Sequence, residues 1–269
     1  MVFNSAFFVL TLLPLLGFYY LARRKRSRPA KTVLLLYSYF FYGMWNAAFL
    51  LLILASTLID YFAALLIVSR PKRKGLCLLL SLVGNLGLLG FFKYFNFFNE
   101  SFAWVASLLS IRYEPWVMRI VLPVGISFYT FQTLSYTIDV YRGALPARRS
   151  LLDFALFVAY FPQLVAGPIV RAADFIPQLD IEPKITTDTV ARGIFLVLWG
   201  LFLKMVIADN VAARADALFA SWQSNGLAAT WAAGLLFGVQ IYCDFNGYSM
   251  IAIGLATMMG FWIQRNFRA

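Results

Sequence analysis

The sequence predicts an all-α fold, a polytopic transmembrane helical bundle of about seven or eight membrane segments with re-entrant or interfacial helices among them. Three observations predict it. First, hydrophobic residues make up 62% of the 269-residue chain and charged residues only 13%, against roughly 45–50% and 25% in a soluble domain; the mean hydropathy is +0.76. Second, the apolar residues come in runs close to the 20 or so residues that a helix needs to cross a bilayer. Third, the basic residues sit in short clusters between those runs. Arg23, Arg24, Lys25, Arg26, Arg28 and Lys31 form one cluster, and Arg70, Lys72, Arg73 and Lys74 another. Short basic loops beside spans mark the cytoplasmic side. The net charge of +11 is therefore read as topology and contact with the lipid bilayer, and no nucleic acid is expected. A single membrane domain covering residues 1–269 is expected.

Each segment follows in order. Val2–Ala22 has no basic residue ahead of its apolar stretch, so it reads as an uncleaved first span with its N-terminus outside. Val33–Trp45 and Ala47–Val68 flank a turn near Gly43–Asn46, and the second basic cluster returns the chain to the inside. Gly75–Phe92 is the fourth span. Lys93–Glu114 carries Tyr94, Phe95, Phe97, Phe98 and Trp104 among polar residues, a mixture suited to an interfacial helix. Val117–Val140 is the next span. Leu151–Val170 is broken by Pro162, Gly167 and Pro168, which predicts a helix followed by a re-entrant or interfacial turn, buried in protein or lining a wet cavity. Residues 171–188 are polar, and Thr189–Ala208 is another span. The block Leu227–Ile263 is too long for one span, with Asn246–Gly247 its weakest point as helix; two half-spans, or a long helix and a short one, both fit.

Charges inside such spans cost about 2.5–3.5 kcal/mol each on insertion scales, so they face the bundle interior or a cavity. Gln132, Tyr136 and Asp139 share one helix face, bordered by Ser135 and Arg142; the stripe lines a pathway, acts as interhelical hydrogen-bonding glue, or leaves Asp139 near the interface beside Arg142. Lys204 is expected about four residues from the end of its span, where its amine reaches the interface by snorkelling. Gln240, Asp244 and Tyr248 recur at helical spacing with Asn246 beside them, either lining a pathway or forming a structural network. Cys77 and Cys243 lie in apolar runs without metal-ligand spacing, and no metal site is expected. The chain has no histidine, no phosphate-cradling glycine loop and no nucleophile elbow.

Three long motifs carry a resemblance: LPVGISFYTFQTLSYTIDVYRG (Leu122–Gly143), FPQLVAGPIVR (Phe161–Arg171) and IYCDFNGYS (Ile241–Ser249), with LLLYSYFFYGMWN (Leu34–Asn46) and FFKYFNFF (Phe91–Phe98) in support. Together they resemble the membrane-bound O-acyltransferase family, in its bacterial alginate O-acetylation branch, over about the first half of a typical member. The resemblance implies a multi-pass protein of the bacterial inner membrane with a funnel through the bundle. It implies acyl transfer from a cytoplasmic thioester donor, acetyl-CoA or an acyl carrier, with no bound cofactor. The acceptor it implies is a hydroxyl of an exported polysaccharide, reached with a periplasmic acyltransferase partner and the exopolysaccharide machinery. Gln132, Tyr136, Asp139, Gln163, Arg171, Gln240, Asp244, Asn246 and Tyr248 are the expected funnel-lining residues. The family's catalytic histidine normally follows Asp-Phe-x-Gly-Tyr-Ser, and this chain ends at Ala269 without one; Met250 stands where the family commonly has Asp. A truncated, fragmentary or degenerate member, inactive by itself, is the resulting expectation. A non-catalytic scaffold or a transporter are the alternative readings, the second weakened by the lack of an internal repeat.

Overall fold

In a bilayer every backbone N–H and C=O must be satisfied within its own segment, and runs of Leu, Ala, Phe and Ile offer no side chain that competes for them. Helix is the outcome throughout. The computed structural model describes residues 3, 5–22, 27–113, 120–164 and 167–266, and every regular element among them is helical. Arg23–Arg26 of the first basic cluster, residues 114–119 at the start of the expected fifth span, and the last three residues lie outside the described residues.

The elements are α1 (Ala6–Ala22), α2 (Arg28–Gly43), α3 (Ala48–Ser69), α4 (Lys74–Leu108), α5 (Ile126–Arg142), α6 (Leu151–Ala159), α7 (Phe161–Leu164), α8 (Ala172–Phe175), α9 (Thr187–Leu201), α10 (Asp209–Ala220) and α11 (Leu227–Met258). A π-helical stretch, Phe202–Ala208, joins α9 to α10 without a break. Four helical stretches among the described residues are long and apolar enough to cross a membrane: Ala48–Ser69, Pro71–Leu108, Thr187–Ala220 and Leu227–Met258. The protein is an all-α membrane bundle.

Several expected boundaries move; the span expected over Val117–Val140 is helical only from Ile126 among the described residues, where Pro123 and the left-handed Gly125 precede it. The fourth span and the expected interfacial helix after it are one 35-residue helix, α4, about 52 Å long at 1.5 Å per residue and longer than a hydrocarbon core of about 30 Å. The span expected to end at Ala208 continues to Ala220, which puts Lys204 near its middle. The block from Leu227 is a single 32-residue helix, unbroken at Asn246–Gly247.

The chain divides into two units, one formed by Met1–Trp45, Tyr160–Val170 and Asp174–Ala269, the other by Asn46–Ala159 and Arg171–Ala173. In the first, α1 lies on α2 through Thr11 Oγ1 and Tyr37 OH, 3.0 Å apart, and through the Phe8 and Phe41 rings. The Pro-Gly break after α6 yields the short α7, whose first amide, Phe161 N, donates to Ser38 Oγ at 3.1 Å. Gly167 folds back over α7 so closely that a Cβ there would stand 2.5 Å from Gln163 Cα. This irregular backbone is buried: Tyr160, Phe161, Gln163 and Leu164 are all at or below 3% exposure, the condition under which such backbone survives at membrane depth.

The same unit holds the tightest helix pair, α9 with its π continuation against α11. Two glycine contacts make it. A Cβ on Gly193 would meet Gly254 O at 2.8 Å, and one on Gly254 would meet Gly193 O at 2.6 Å. Seven residues on, a Cβ on Gly200 would meet Gly247 O at 2.5 Å, and one on Gly247 would meet Gly200 O at 2.8 Å. Each step of seven along α9 is matched by a step of seven back along α11, so the helices are antiparallel. With no hydrophobic effect between helices in lipid, association rests on close backbone approach, and small residues permit it. This is why Gly247 strengthens α11 in place rather than breaking it.

In the second unit α3, α4 and α5 pack around a polar centre, and α6 closes against α3 and α5. Gln132 Nε2 donates to Phe157 O at 2.8 Å, and the Tyr136 hydroxyl accepts from Arg148 N at 2.8 Å while its ring packs 4.6 Å from that of Phe154. Gly125 and Gly143 bound α5 with φ of 76° each, a left-handed geometry that only glycine adopts without strain.

Candidate functional site

The register of the glycine seam carries one more turn along, to Lys204. The Lys204 amide lies 3.1 Å from where a Cβ of Gly247 would be, and its Nζ reaches Asp244 Oδ1 at 2.8 Å across the helix pair and Asp209 Oδ1 at 2.8 Å one turn further along its own helix. The expected snorkelling of Lys204 is thereby corrected. Its span does not end at Ala208, and two carboxylates hold its ammonium in place. The wide π turn at Phe202–Ala208 sits at this point, and such turns concentrate at functional sites.

Asp244 side-chain exposure is 43% and that of Lys204 is 21%, so the pair opens on one side instead of being sealed in the core. α11 carries further polar groups near Asp244 in sequence. Gln240 Oε1 and Asn246 Oδ1 are buried and make no hydrogen bond among the described residues, although Asn246 Nδ2 faces Tyr242 OH at 3.4 Å. Ser249 Oγ accepts from Asn266 Nδ2 at 3.3 Å. The Tyr248 ring packs 5.4 Å from that of Phe3. Buried polar atoms in folded proteins are almost always satisfied. The orphan Gln240 oxygen, one turn from Asp244 on the same face of α11, is therefore ready to accept a hydrogen bond from a hydroxyl-bearing or hydrated guest, while Lys204 can donate to a developing or permanent negative charge; Asn246, two residues on, lies on the opposite side of the helix.

The remaining sequence candidates divide between the units. Gln163, Gln240, Asp244, Asn246 and Tyr248 belong to the first, and Gln132, Tyr136, Asp139 and Arg171 to the second. Gln132 and Tyr136 spend their polar groups on the structural bonds described above. Asp139 is part-buried and Arg171 exposed. Gln163 is buried in α7 at 3% exposure.

Sequence reasoning missed a second polar centre. Asp60, at 0% exposure in the middle of α3, accepts from Ser81 Oγ, from Thr137 Oγ1 at 3.0 Å and from Asn85 Nδ2 at 2.9 Å. Ser56 Oγ donates to Asn85 Oδ1 at 2.5 Å and lies 3.4 Å from Thr133 Oγ1. The available signal was the carboxylate itself, the only charge inside an otherwise apolar 22-residue helix. Among the described residues no cluster of His, Cys, Asp or Glu is grouped as metal ligands.

Fold and site together define an integral membrane protein with a polar, ion-paired interior on its tightest helix pair. Residues 143–269 match the family described as MBOAT, membrane-bound O-acyltransferase. Over 272 residues the chain is 42% identical to the probable alginate O-acetylase AlgI of Pseudomonas aeruginosa, covering 99% of this chain and 51% of that protein. The probable alginate O-acetylase AlgI of Azotobacter vinelandii is 43% identical over 273 residues, 99% of this chain and 53% of that one. The peptidoglycan O-acetyltransferase of Helicobacter pylori is 34% identical over 302 residues, 100% of this chain and 56% of that one. The chain belongs to the membrane-bound O-acyltransferase family, within the branch of the alginate O-acetylases. It spans about half the length of the curated relatives it matches.

Proposed function

We propose that this chain is part of a membrane-bound O-acyltransferase. In this reading the enzyme takes an acyl group, most simply acetyl, from a cytoplasmic thioester donor. It delivers that group across the bacterial inner membrane toward hydroxyls of an exported polysaccharide such as alginate, by way of a periplasmic partner. The observation that carries the reading is the identity of 41–43% to alginate O-acetylases across essentially the whole chain. The N-terminus lies outside and the basic segments Arg23–Lys31 and Arg70–Lys74 inside, as charge asymmetry requires.

In the reaction a hydroxyl oxygen attacks the thioester carbonyl carbon, the C–S bond breaks, the thiol leaves, and the hydroxyl proton passes to a base. This chain has no histidine to serve as that base. Its own contribution is the chamber. Gln240 Oε1 holds the entering hydroxyl until its proton passes to the base, and Lys204, held by Asp244 and Asp209, faces the carbonyl oxygen as it gains charge. Asp244 orients the ammonium rather than taking the proton.

The test is a chimera in which residues 1–269 replace the matching half of the Azotobacter vinelandii relative. Membranes carrying the chimera, a labelled acetyl thioester, alginate and the periplasmic partner are expected to form polymer ester, and Lys204→Met to reduce it by about tenfold or more. The 269-residue chain alone is expected to form none. A chimera that inserts and stays folded yet forms no ester would leave the scaffold reading in its place. Ester made by the chain alone, and lost in Asp244→Asn, would make Asp244 the base.

A further inference from the structure

A second polar concavity lies about 18 Å along α9 from Lys204, at twelve residues of 1.5 Å rise. It is a cleft of about 580 Å³ between the N-terminal end of α9, the C-terminal end of α11 and the segment that follows. Three cations line it, Lys184, Arg192 and Arg265, and no carboxylate does. All three are exposed, and none is ion-paired among the described residues. The nearest opposing charges in sequence are Glu182, in a small adjoining hollow shared with Lys184, and Asp188, in the first turn of α9. The two lining hydroxyls are already committed: Thr189 Oγ1 donates to Thr186 O at 2.8 Å within the capping box, and Thr257 Oγ1 to Ile253 O at 2.7 Å. The cations, with the exposed Gln264 amide beside them, are therefore the side chains left to recognise a guest.

The surroundings identify its kind. Two membrane-crossing stretches, Thr187–Ala220 and Leu227–Met258, begin and end here, so the cleft stands at one boundary of the bilayer. Its inner wall is apolar, with Leu196 and Ile253 at 7% and 6% exposure. Trp262, 61% exposed, stands at its rim, the position an indole takes at a headgroup layer. The end of α1 lies at the same boundary: Tyr19 OH donates to Met259 O at 2.7 Å and Tyr20 OH to Met258 O at 3.0 Å. The sequence that follows α1 carries the basic cluster Arg23–Lys31, and such clusters mark the cytoplasmic side.

We infer that the cleft formed by Lys184, Arg192 and Arg265 binds a phosphate group, and specifically the phosphodiester of an anionic phospholipid in the leaflet on that face. A guanidinium pair with an ammonium grips phosphate oxygens by charge-assisted bonds. The apolar wall and the indole suit the glycerol and upper acyl carbons. The cleft has room for the headgroup as well as the phosphate.

The experiment measures thermal unfolding of the full chain in neutral detergent, titrated with phosphatidylglycerol, with phosphatidylcholine, or with inorganic phosphate. Bound lipid is counted on the same samples by native mass spectrometry. Phosphatidylglycerol is expected to bind saturably and raise the midpoint where phosphatidylcholine does not. The variant K184Q/R192Q/R265Q is expected to weaken that binding at least about tenfold; R192Q alone, expected to weaken it severalfold, reads the site if the triple variant does not fold. K72Q/R73Q, in the turn before α4, should bind as the parent does. Equal response to the two lipids, unchanged binding in the cleft variants, or equal loss in K72Q/R73Q would overturn the proposal. Equal stabilisation by inorganic phosphate without lipid would overturn the lipid assignment and give the cleft to a soluble phosphate.

Discussion

Replacing Gly200 by alanine is the sharpest test of how the ion pair is placed. The added Cβ would lie 2.5 Å from Gly247 O and 2.9 Å from Ile251 N, backbone atoms that cannot turn aside, where ordinary contact begins near 3.4 Å. The helices must part by the difference, ~0.9 Å. Lys204 is one turn beyond Gly200, so a rigid separation would carry its 2.8 Å contact with Asp244 to about 3.7 Å, beyond a charge-assisted hydrogen bond. Overpacking of this kind costs about 1–3 kcal/mol. Two readouts check it in detergent: the thermal midpoint, and the rate of disulfide formation between Leu203→Cys and the native Cys243, which belong to one buried apolar cluster with Ala208, with Cys77→Ala as background. The control is Gly238→Ala on α11, where an added Cβ meets nothing within 4 Å. Gly200→Ala is expected to lower both the midpoint and the cross-linking rate, and Gly238→Ala neither. Equal behaviour of the two variants would refute the close-approach argument.

Three more expectations follow from the same structure. Asp60→Ala strands the donors Ser81, Asn85 and Thr137 at about 1–3 kcal/mol for each one left unsatisfied, so its midpoint should fall well below that of Asp60→Asn, which retains an acceptor; equal midpoints would show that the centre is not built around a carboxylate. Tyr136→Phe removes the hydroxyl that accepts from Arg148 N and should cost about 1 kcal/mol in detergent unfolding, while an unchanged midpoint would count against the bond. A cysteine at Ser27 should resist an impermeant thiol reagent added outside intact cells and react after permeabilisation; efficient labelling from outside would reverse the proposed topology.

Much of the fold is legible in the sequence because bilayer thickness and hydropathy fix where apolar segments can lie. Their ends are less so. An estimate of about twenty residues per span stops α4 near Phe92, although nothing in Lys93–Leu108 breaks a helix and the structure carries it on to Leu108. Asn246–Gly247 looks weak by propensity alone, yet Gly247 is where α11 meets Gly200, and tertiary contact overrides propensity there. Asp60 escaped notice for a related reason. A stripe along one helix, such as Gln132–Tyr136–Asp139, shows as periodicity, whereas this centre is split over three helices as single pairs one turn apart, Ser56 and Asp60, Ser81 and Asn85, Thr133 and Thr137, each too short to read as a stripe. Gln132 and Tyr136 show the opposite error: their spacing is real, but it serves α6 and the Arg148 amide.

The pairing of Lys204 with Asp244 follows from the glycine register more than from the attraction of the charges. Gly193 meets Gly254 and Gly200 meets Gly247 through backbone oxygens, and one further turn in that register brings residue 204 opposite residue 244. A half-exposed ion pair has little net energy with which to hold two helices together. Close backbone packing along the seam has more, since every atom pair contributes over the three turns from Gly193 to Lys204. The order of dependence can be measured. Lys204→Gln with Asp244→Asn in one chain removes both charges and should leave Leu203→Cys–Cys243 cross-linking close to the parent rate. Gly200→Ala keeps both charges and should slow it. Slow cross-linking in the charge-free variant and parent-like cross-linking in Gly200→Ala would mean that the charges set the register and the glycines merely tolerate it. The expected order leaves the polar pair free to exchange partners with a guest, because the scaffold that presents it does not need it to stay closed.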